Sequence, residues 1–493
     1  MKRLHIYIYI VCIMSVCMLL SCADDDTFST SPQRLLTFSA DTVKMDTVFS
    51  RVPTSTRTFW IYNRSGSGIR CSQVRLKKGN QTGFRVNVDG TYLGETTGFQ
   101  TRNVEIRNKD SVRVFVELTA PANGKETPQL HEDELVFTLE SGAEQRVNLM
   151  AYTWDAQLLK NVVVSKDTLI GGDKPTVIYG GMKVDSAVTL RIAAGTTLYF
   201  HGDAALDVYG TLVTEGTASR NVVLRGDRTD RMFDYLPYDM VSGQWKGIRF
   251  HASSFYNVID FTDIHGTYTA IDCDSTDASR QKLTLSNSIV HNCQGGGVVL
   301  RNAKADISNC QISNVLTACL AVTGGDVFVS HCTLAQFYPF DSNRYAALHF
   351  EDSKAYPLRR FLCVNSLVTG YADNVVFAVQ EDTTATFNYQ FVSSILRTPT
   401  PKDTSRFRQV VFEDMKQLRD AKADGETVTG DKHFRLADLS KQRYDFRLDS
   451  ISTAIDKAAP EYALPRDRDG AEREGLPDIG CYEYRKNEAK HRR

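Results

Sequence analysis

Between Asp341 and Asp352 the chain gathers acids, a guanidinium and an imidazole within a dozen residues. Asp341, Arg344, His349, Glu351 and Asp352 could together hold a cation or the carboxylate of an acidic sugar; a solvated loop with local ion pairs is the plainer alternative. In "DFTDIH", Asp263 and His265 stand two apart, so a strand would carry both on one face, and we expect a surface pair there rather than a catalytic dyad. "DRDG" begins like a calcium loop with Asp467 and Asp469, but the next ligand slots hold Ala471 and Arg473, which leaves a structural turn. "GGGVVL" (Gly295 to Leu300) has no Lys-Ser/Thr after it and reads as a corner, not a phosphate loop. With no Cys-x-x-Cys pair, zinc is not expected. No metal or cofactor is expected at all, calcium being possible without support, and no catalytic residue can be assigned.

A second chemistry is carried by rings. Phe233, Tyr235, Tyr238 and Trp245, with Asp230, Arg231 and Asp239 between them, could form a platform on which pyranose faces stack while the polar groups bind hydroxyls. Phe337, Tyr338 and Phe340 form another such group. For both, the alternative is that the rings pack a long loop onto what lies beneath.

The elements that must position these groups repeat. "LSNSIV" (Leu285 to Val290), "ISNCQI" (Ile307 to Ile312) and "VSHCTL" (Val329 to Leu334) follow one another at 22 residues. The Asn287 slot recurs at Asn309, His331, Asn365 and Ser393, and the next slot holds Ser288, Cys310, Cys332, Ser366 and Ser394. Two slots on stand Val290, Ile312, Leu334, Val368 and Leu396. Such a period predicts a solenoid of roughly ten coils, three short parallel strands to each, stacked about 4.8 Å apart. Like must then lie over like, so Cys310 should pack on Cys332 as buried thiols, a disulfide being the alternative. The excursions at Gln336 to Leu358 and after Thr398 should leave one face, often the functional one.

Before this region, residues 34–155 alternate with period two in runs such as "FWIYN", "VRVFVEL" and "RVNLMAY", separated by "NRSGSG" and "PANGKE". A β-sandwich of about seven strands is expected there, and the order of runs resembles immunoglobulin-like modules, which serve as spacers. At the N-terminus, Lys2 and Arg3 precede a short apolar run and a small-residue exit, a secretory signal over residues 1–21. "LLSC" resembles the lipobox of bacterial lipoproteins, which implies lipidation of Cys22. The following Asp24, Asp25 and Asp26 resemble an export tag for the outer face of the outer membrane. Residues 22–33 read as a tether, and 485–493 as a solvated basic tail. Loss of the signal leaves 59 acidic residues against 56 basic ones, with no basic face to suggest nucleic acid.

Three further stretches carry a family resemblance. "LRIAAGTTLYFHGDAALDVYGTLVTEGTASRNVVLRG" (Leu190 to Gly226), "GQWKGIRF" (Gly243 to Phe250) and "RDRDGAEREGLPDIGCYEY" (Arg466 to Tyr484) resemble opening coils, a tryptophan-marked coil and a closing segment of the right-handed parallel β-helix superfamily, known from pectate lyases and bacterial surface proteins. The resemblance implies a β-helix with a C-terminal cap over 156–484, in an otherwise all-β chain. It also implies a glycan-handling or adhesive surface protein, since enzymes on this fold cleave acidic glycans. The Asp-His and Arg-x-Pro-x-x-Arg signatures of such lyases are absent, as is the Gly-His-Gly of the related hydrolases. Glycan binding without catalysis is therefore the leading expectation; a polysaccharide lyase and an adhesin with a protein partner are the alternatives.

Overall fold

The computed structural model describes residues 27–172, 174–341, 345–420 and 427–486. The segment expected to be a signal, Cys22, the three aspartates after it, Arg344 and most of the basic tail lie outside the described residues. The chain forms two compact units, Met1–Asp155 and Ala156–Arg493.

The first unit packs a five-stranded sheet on a six-stranded one. Strict alternation makes each strand two-faced. In Ser111–Leu118, Val112, Val114, Val116 and Leu118 are buried while Arg113 and Glu117 point outward. The inward residues meet Phe59, Ile61, Val74 and Phe137 in one core. More strands form than the expected seven, because short edge strands such as Thr37–Phe38 and Gln100–Thr101 are too brief to show alternation.

The second unit is the solenoid. Its strands pair in parallel with their equivalents one coil on, and a ten-stranded sheet runs its length beside a larger sheet that supplies the other two faces. The inward rows are continuous. Ile264, Val290, Ile312, Leu334, Val368 and Leu396 lie over one another on one face. Leu206, Ile248, Ile271, Val298, Leu320 and Leu348 do so on the second, and Ile259, Leu285, Ile307, Val329, Cys363 and Phe391 on the third. All of them join one elongated core.

The corner between two faces explains the repeated Asn slot. Asn287, Asn309, His331, Asn365 and Ser393 have φ of 48°, 51°, 49°, 50° and 41°, the left-handed region that Asn tolerates best among residues with a side chain. This turn sends the small residue that follows into the core. The Ser288, Ser366 and Ser394 hydroxyls donate to the carbonyl two residues back at 2.6–2.9 Å. Each also accepts a backbone N–H from the coil before it, those of Thr262, Cys332 and Ser366. Cys310 and Cys332 occupy the same slot as buried free thiols, their Sγ 3.1 and 3.4 Å from the equivalent carbonyls.

After the last coil, the helix Met415–Asp420 and the hairpin Phe434–Asp438/Arg443–Leu448 lead into a segment that runs back along the corner. It docks on the outer side of the Asn slot: Asn365 donates to the Ala459 carbonyl at 3.0 Å and accepts from its N–H at 2.7 Å. Arg473 reaches Asn309 at 3.1 Å. Glu413, buried between Arg397 and His433, fixes the start of this cap. Replacing Asn365 by Ala removes both a tolerant left-handed residue and the cap's anchor. We expect Asn365→Ala to cost about 2–4 kcal/mol, and Asn365→Gly, which keeps only the corner, to cost less. Urea unfolding of the three proteins measures this; equal midpoints for Asn365→Ala and the parent chain would refute the corner's role.

Candidate functional site

The candidate site lies on the outer side of the same rows. In Thr262–His265 and Ile289–Cys293, Ile264 and Val290 point inward, so Asp263, His265, Ile289 and His291 point outward. Register places His265 beside His291, ring centroids 4.6 Å apart and stacked. Over them folds the 228–245 loop. Arg231–Phe233 pairs with Leu236–Pro237, and the turn Tyr238–Met240 brings Asp239 down onto the strand.

Asp263, His265 and His291 are therefore partly or wholly covered, not a surface pair. His265 is bracketed: Nδ1 lies 2.8 Å from Asp263 Oδ1 and Nε2 2.8 Å from Asp239 Oδ1. Asp263 Oδ1 also meets His291 Nε2 at 3.2 Å, and Arg225 meets Asp239 at 2.7 Å. Burial opposes the charge on His265, but Asp263 and Asp239 outweigh it and raise its pKa to about 9. Burial likewise opposes ionisation of Asp239, yet the hydrogen bond from His265 and the nearby Arg225 hold it down at about 2.

Asp263 and His291 open onto a cleft of about 1150 Å³. Its floor continues through Ile289, Gln311 and Ser313, and Tyr235, Pro237 and Met240 close one end. The cap supplies the opposite wall, with Arg435, Lys441, Arg443, Tyr444, Arg447 and Arg468 beside Asp445, Asp449 and Asp469. Arg447 is held by Asp445 and Asp469 at 3.1 and 2.8 Å. Lys441 and Arg443 are exposed and have no ion-pair partner among the described residues.

The aromatic candidates divide. Phe233 and Tyr235 are exposed and stacked on each other at 5.8 Å, and Tyr235 borders the cleft. Tyr238 carries the Arg228 guanidinium 3.6 Å from its ring centre, Arg228 in turn pairing with Asp230 at 2.7 Å, while Arg231 bonds the Asp234 carbonyl within its own loop. Trp245 is core, not platform. It is 1% exposed, stacks on Phe200 at 4.1 Å and donates its indole N–H to the His265 carbonyl, so no face remains for a sugar. Phe337 is likewise buried, among Tyr371, Phe434 and Phe446 under the cap, and Tyr338 is buried with its hydroxyl on Ser242. Phe340 alone of that group is exposed, edge-on to Tyr338.

The polar cluster does not converge. His349 and Glu351 pair at 3.4 Å on one strand, whereas Asp352 is buried and accepts the Glu381 and Asp382 N–H groups of the next coil's turn. Arg344 lies outside the described residues. Asp467 accepts the N–H groups of Asp469, Ala471 and Glu483, a turn within the cap.

His291 and the cap's basic residues escape a linear reading. The signal for His291 was present: "TDIH" and "SIVH" occupy one slot, 26 residues apart. The hairpin residues carry no pattern, since the chain's return onto the solenoid brings them there.

Residues 179–358 match the family described as right handed beta helix region. The match agrees with the stacked parallel coils of the second unit, a fold that suits glycan binding or glycan cleavage and does not choose between them. No curated protein matches the chain. Among solved structures it is similar to a protein of unknown function from Porphyromonas gingivalis W83, with 13% identity over 27% of this chain and 60% of that one, at a TM-score of 0.18. It is also similar to a family 123 glycoside hydrolase from Clostridium perfringens (6% identity, 26% of this chain, 30% of that one, TM-score 0.17). A third is the PapD-like domain 7 of human CEP192 (9%, 26% and 92%, TM-score 0.17). The chain thus spans less than two thirds of the first two, and likeness this slight carries no weight for fold or activity.

Burial separates the two kinds of ring. Trp245→Ala should cost about 3–5 kcal/mol, and Tyr235→Ala no more than about 0.5 kcal/mol. Thermal melts of both variants check this; a Tyr235→Ala loss as large as that of Trp245→Ala would put Tyr235 in the core.

Proposed function

We propose that the cleft between the solenoid and its cap binds a glycan, with acidic sugars preferred. The carrying observation is the pair Lys441 and Arg443, exposed without ion-pair partners among the described residues on a wall where Arg447 and Arg468 are tied to Asp445 and Asp469. Unpaired cations over a polar floor suit the carboxylate or sulfate of an acidic sugar, and the Phe233–Tyr235 stack at the mouth suits a pyranose face. A second reading, cleavage of that glycan by elimination, is favoured by the Asp263–His291 pair on the floor, a carboxylate and an imidazole where a base would stand. Unsaturated uronate absorbance on incubation with acidic glycans decides between binding and cleavage.

Lys441→Glu with Arg443→Glu should weaken binding to uronate-containing glycans about tenfold or more and leave neutral glycans little changed, with calorimetry as the readout. A parent protein that binds no glycan on an array would remove the proposal. We further propose lipid anchorage at Cys22 and display at the cell exterior. Cys22→Ser should move the protein from the membrane to the soluble fraction, and protease added to intact cells should digest the parent; a protein that stays in the membrane without Cys22, or is shielded from the protease, refutes this.

A further inference from the structure

We infer that Asp263, His265 and His291 form a binding site for a borderline divalent metal ion, zinc in the first instance. One oxygen or nitrogen donor from each lies within 4.8 Å of the others, the only such group among the described residues. The spacing is already close to that of a coordination shell. Asp263 Oδ1 stands 2.8 Å from His265 Nδ1 and 3.2 Å from His291 Nε2. Bonds of about 2.0–2.1 Å in a tetrahedron put neighbouring donors about 3.3 Å apart. An ion in place of the protons these groups share would therefore need only small movements.

The groups behind the donors have the arrangement that a ligating imidazole calls for. His265 turns its other nitrogen to Asp239 at 2.8 Å, and Arg225 holds Asp239 at 2.7 Å. A carboxylate in that position fixes the tautomer and the ring plane and makes the imidazole a better donor. The frame is rigid as well, because His265 and His291 are paired residues of adjacent parallel strands whose neighbours Ile264 and Val290 are buried.

Donor chemistry selects the ion. Two nitrogens and one carboxylate suit zinc and its neighbours; calcium takes oxygen. Missing Cys-x-x-Cys spacing does not bear on this site, since its ligands come from successive coils 26 residues apart. Three protein ligands leave one tetrahedral position. Asp263 and His291 line the cleft, so water or a ligand entering the cleft would fill it. The inference stands apart from the proposal of glycan binding, which rests on the cap's wall; a bound ion would take the lone pairs that the cleavage reading asks of Asp263 and His291.

The test is calorimetric titration of the chelator-treated, dialysed protein with zinc chloride, alongside cobalt(II), whose visible bands report tetrahedral geometry. We expect one equivalent of zinc and a raised melting temperature. Asp263→Asn and His291→Gln should each weaken binding at least about 100-fold, and Asp239→Asn about 10- to 100-fold. His251→Gln should change nothing, because His251 lies between Asp207 and Asp274 with no second imidazole in the group. Should the ligand variants fail to fold, Asp239→Asn, which keeps all three donors, carries the test. A folded parent protein that takes up no zinc, or uptake that survives His291→Gln, overturns the site. Glycan binding measured in chelator, and its loss on Lys441→Glu with Arg443→Glu, reports on the other proposal separately.

Discussion

At the corner marked by the Asn slot, backbone N–H groups are turned inward and must find partners in a place water does not reach. The small polar residue of the next coil supplies one, as Ser288 does for Thr262, Ser366 for Cys332 and Ser394 for Ser366. An unmet buried N–H costs about 1–3 kcal/mol, so coils can stack in this register and not in one shifted by a residue. The left-handed residue before the small one makes the geometry possible, and its own side chain is left facing outward. One local rule thereby fixes the interior and prepares an exterior row of amides.

That exterior row decides where residues 459–473 of the returning segment go. Asn309 and Asn365 present the same groups two coils apart, and the returning segment reads them with Ala459, Arg466 and Arg473. Seating the cap there swings the 434–448 hairpin across the neighbouring sheet face, where Asp263 and His291 already point outward. The cleft is thus a by-product of closing the solenoid. Its floor comes from coil register and its wall from docking.

This division also separates what the sequence reveals from what it hides. The inward rows, the Asn corner and the Cys310/Cys332 slot were legible because stacking imposes a period on inward residues, and the period survives insertions. Outward residues obey no such rule. Asp263 and His265 look like a surface pair in the linear text, since nothing near them announces that the turn at Asp239 covers them. Trp245, Phe337 and Tyr338 look like a ligand platform for the same reason: composition records that rings are present, not which face they pack on. Lys441 and Arg443 approach Asp263 only through contacts over 170 residues distant in the chain, and no local pattern encodes those.

Because one wall of the cleft is the seated cap, occupancy and closure are linked. A molecule that bridges His291 and the hairpin holds the cap against the corner amides, and by mass action resists its lifting in proportion to how fully the cleft is occupied. The same coupling would run backwards: a cap loosened at Asn365, three coils from His291, would widen the cleft. In this molecule the segment that closes the solenoid's flank is also one wall of the cleft.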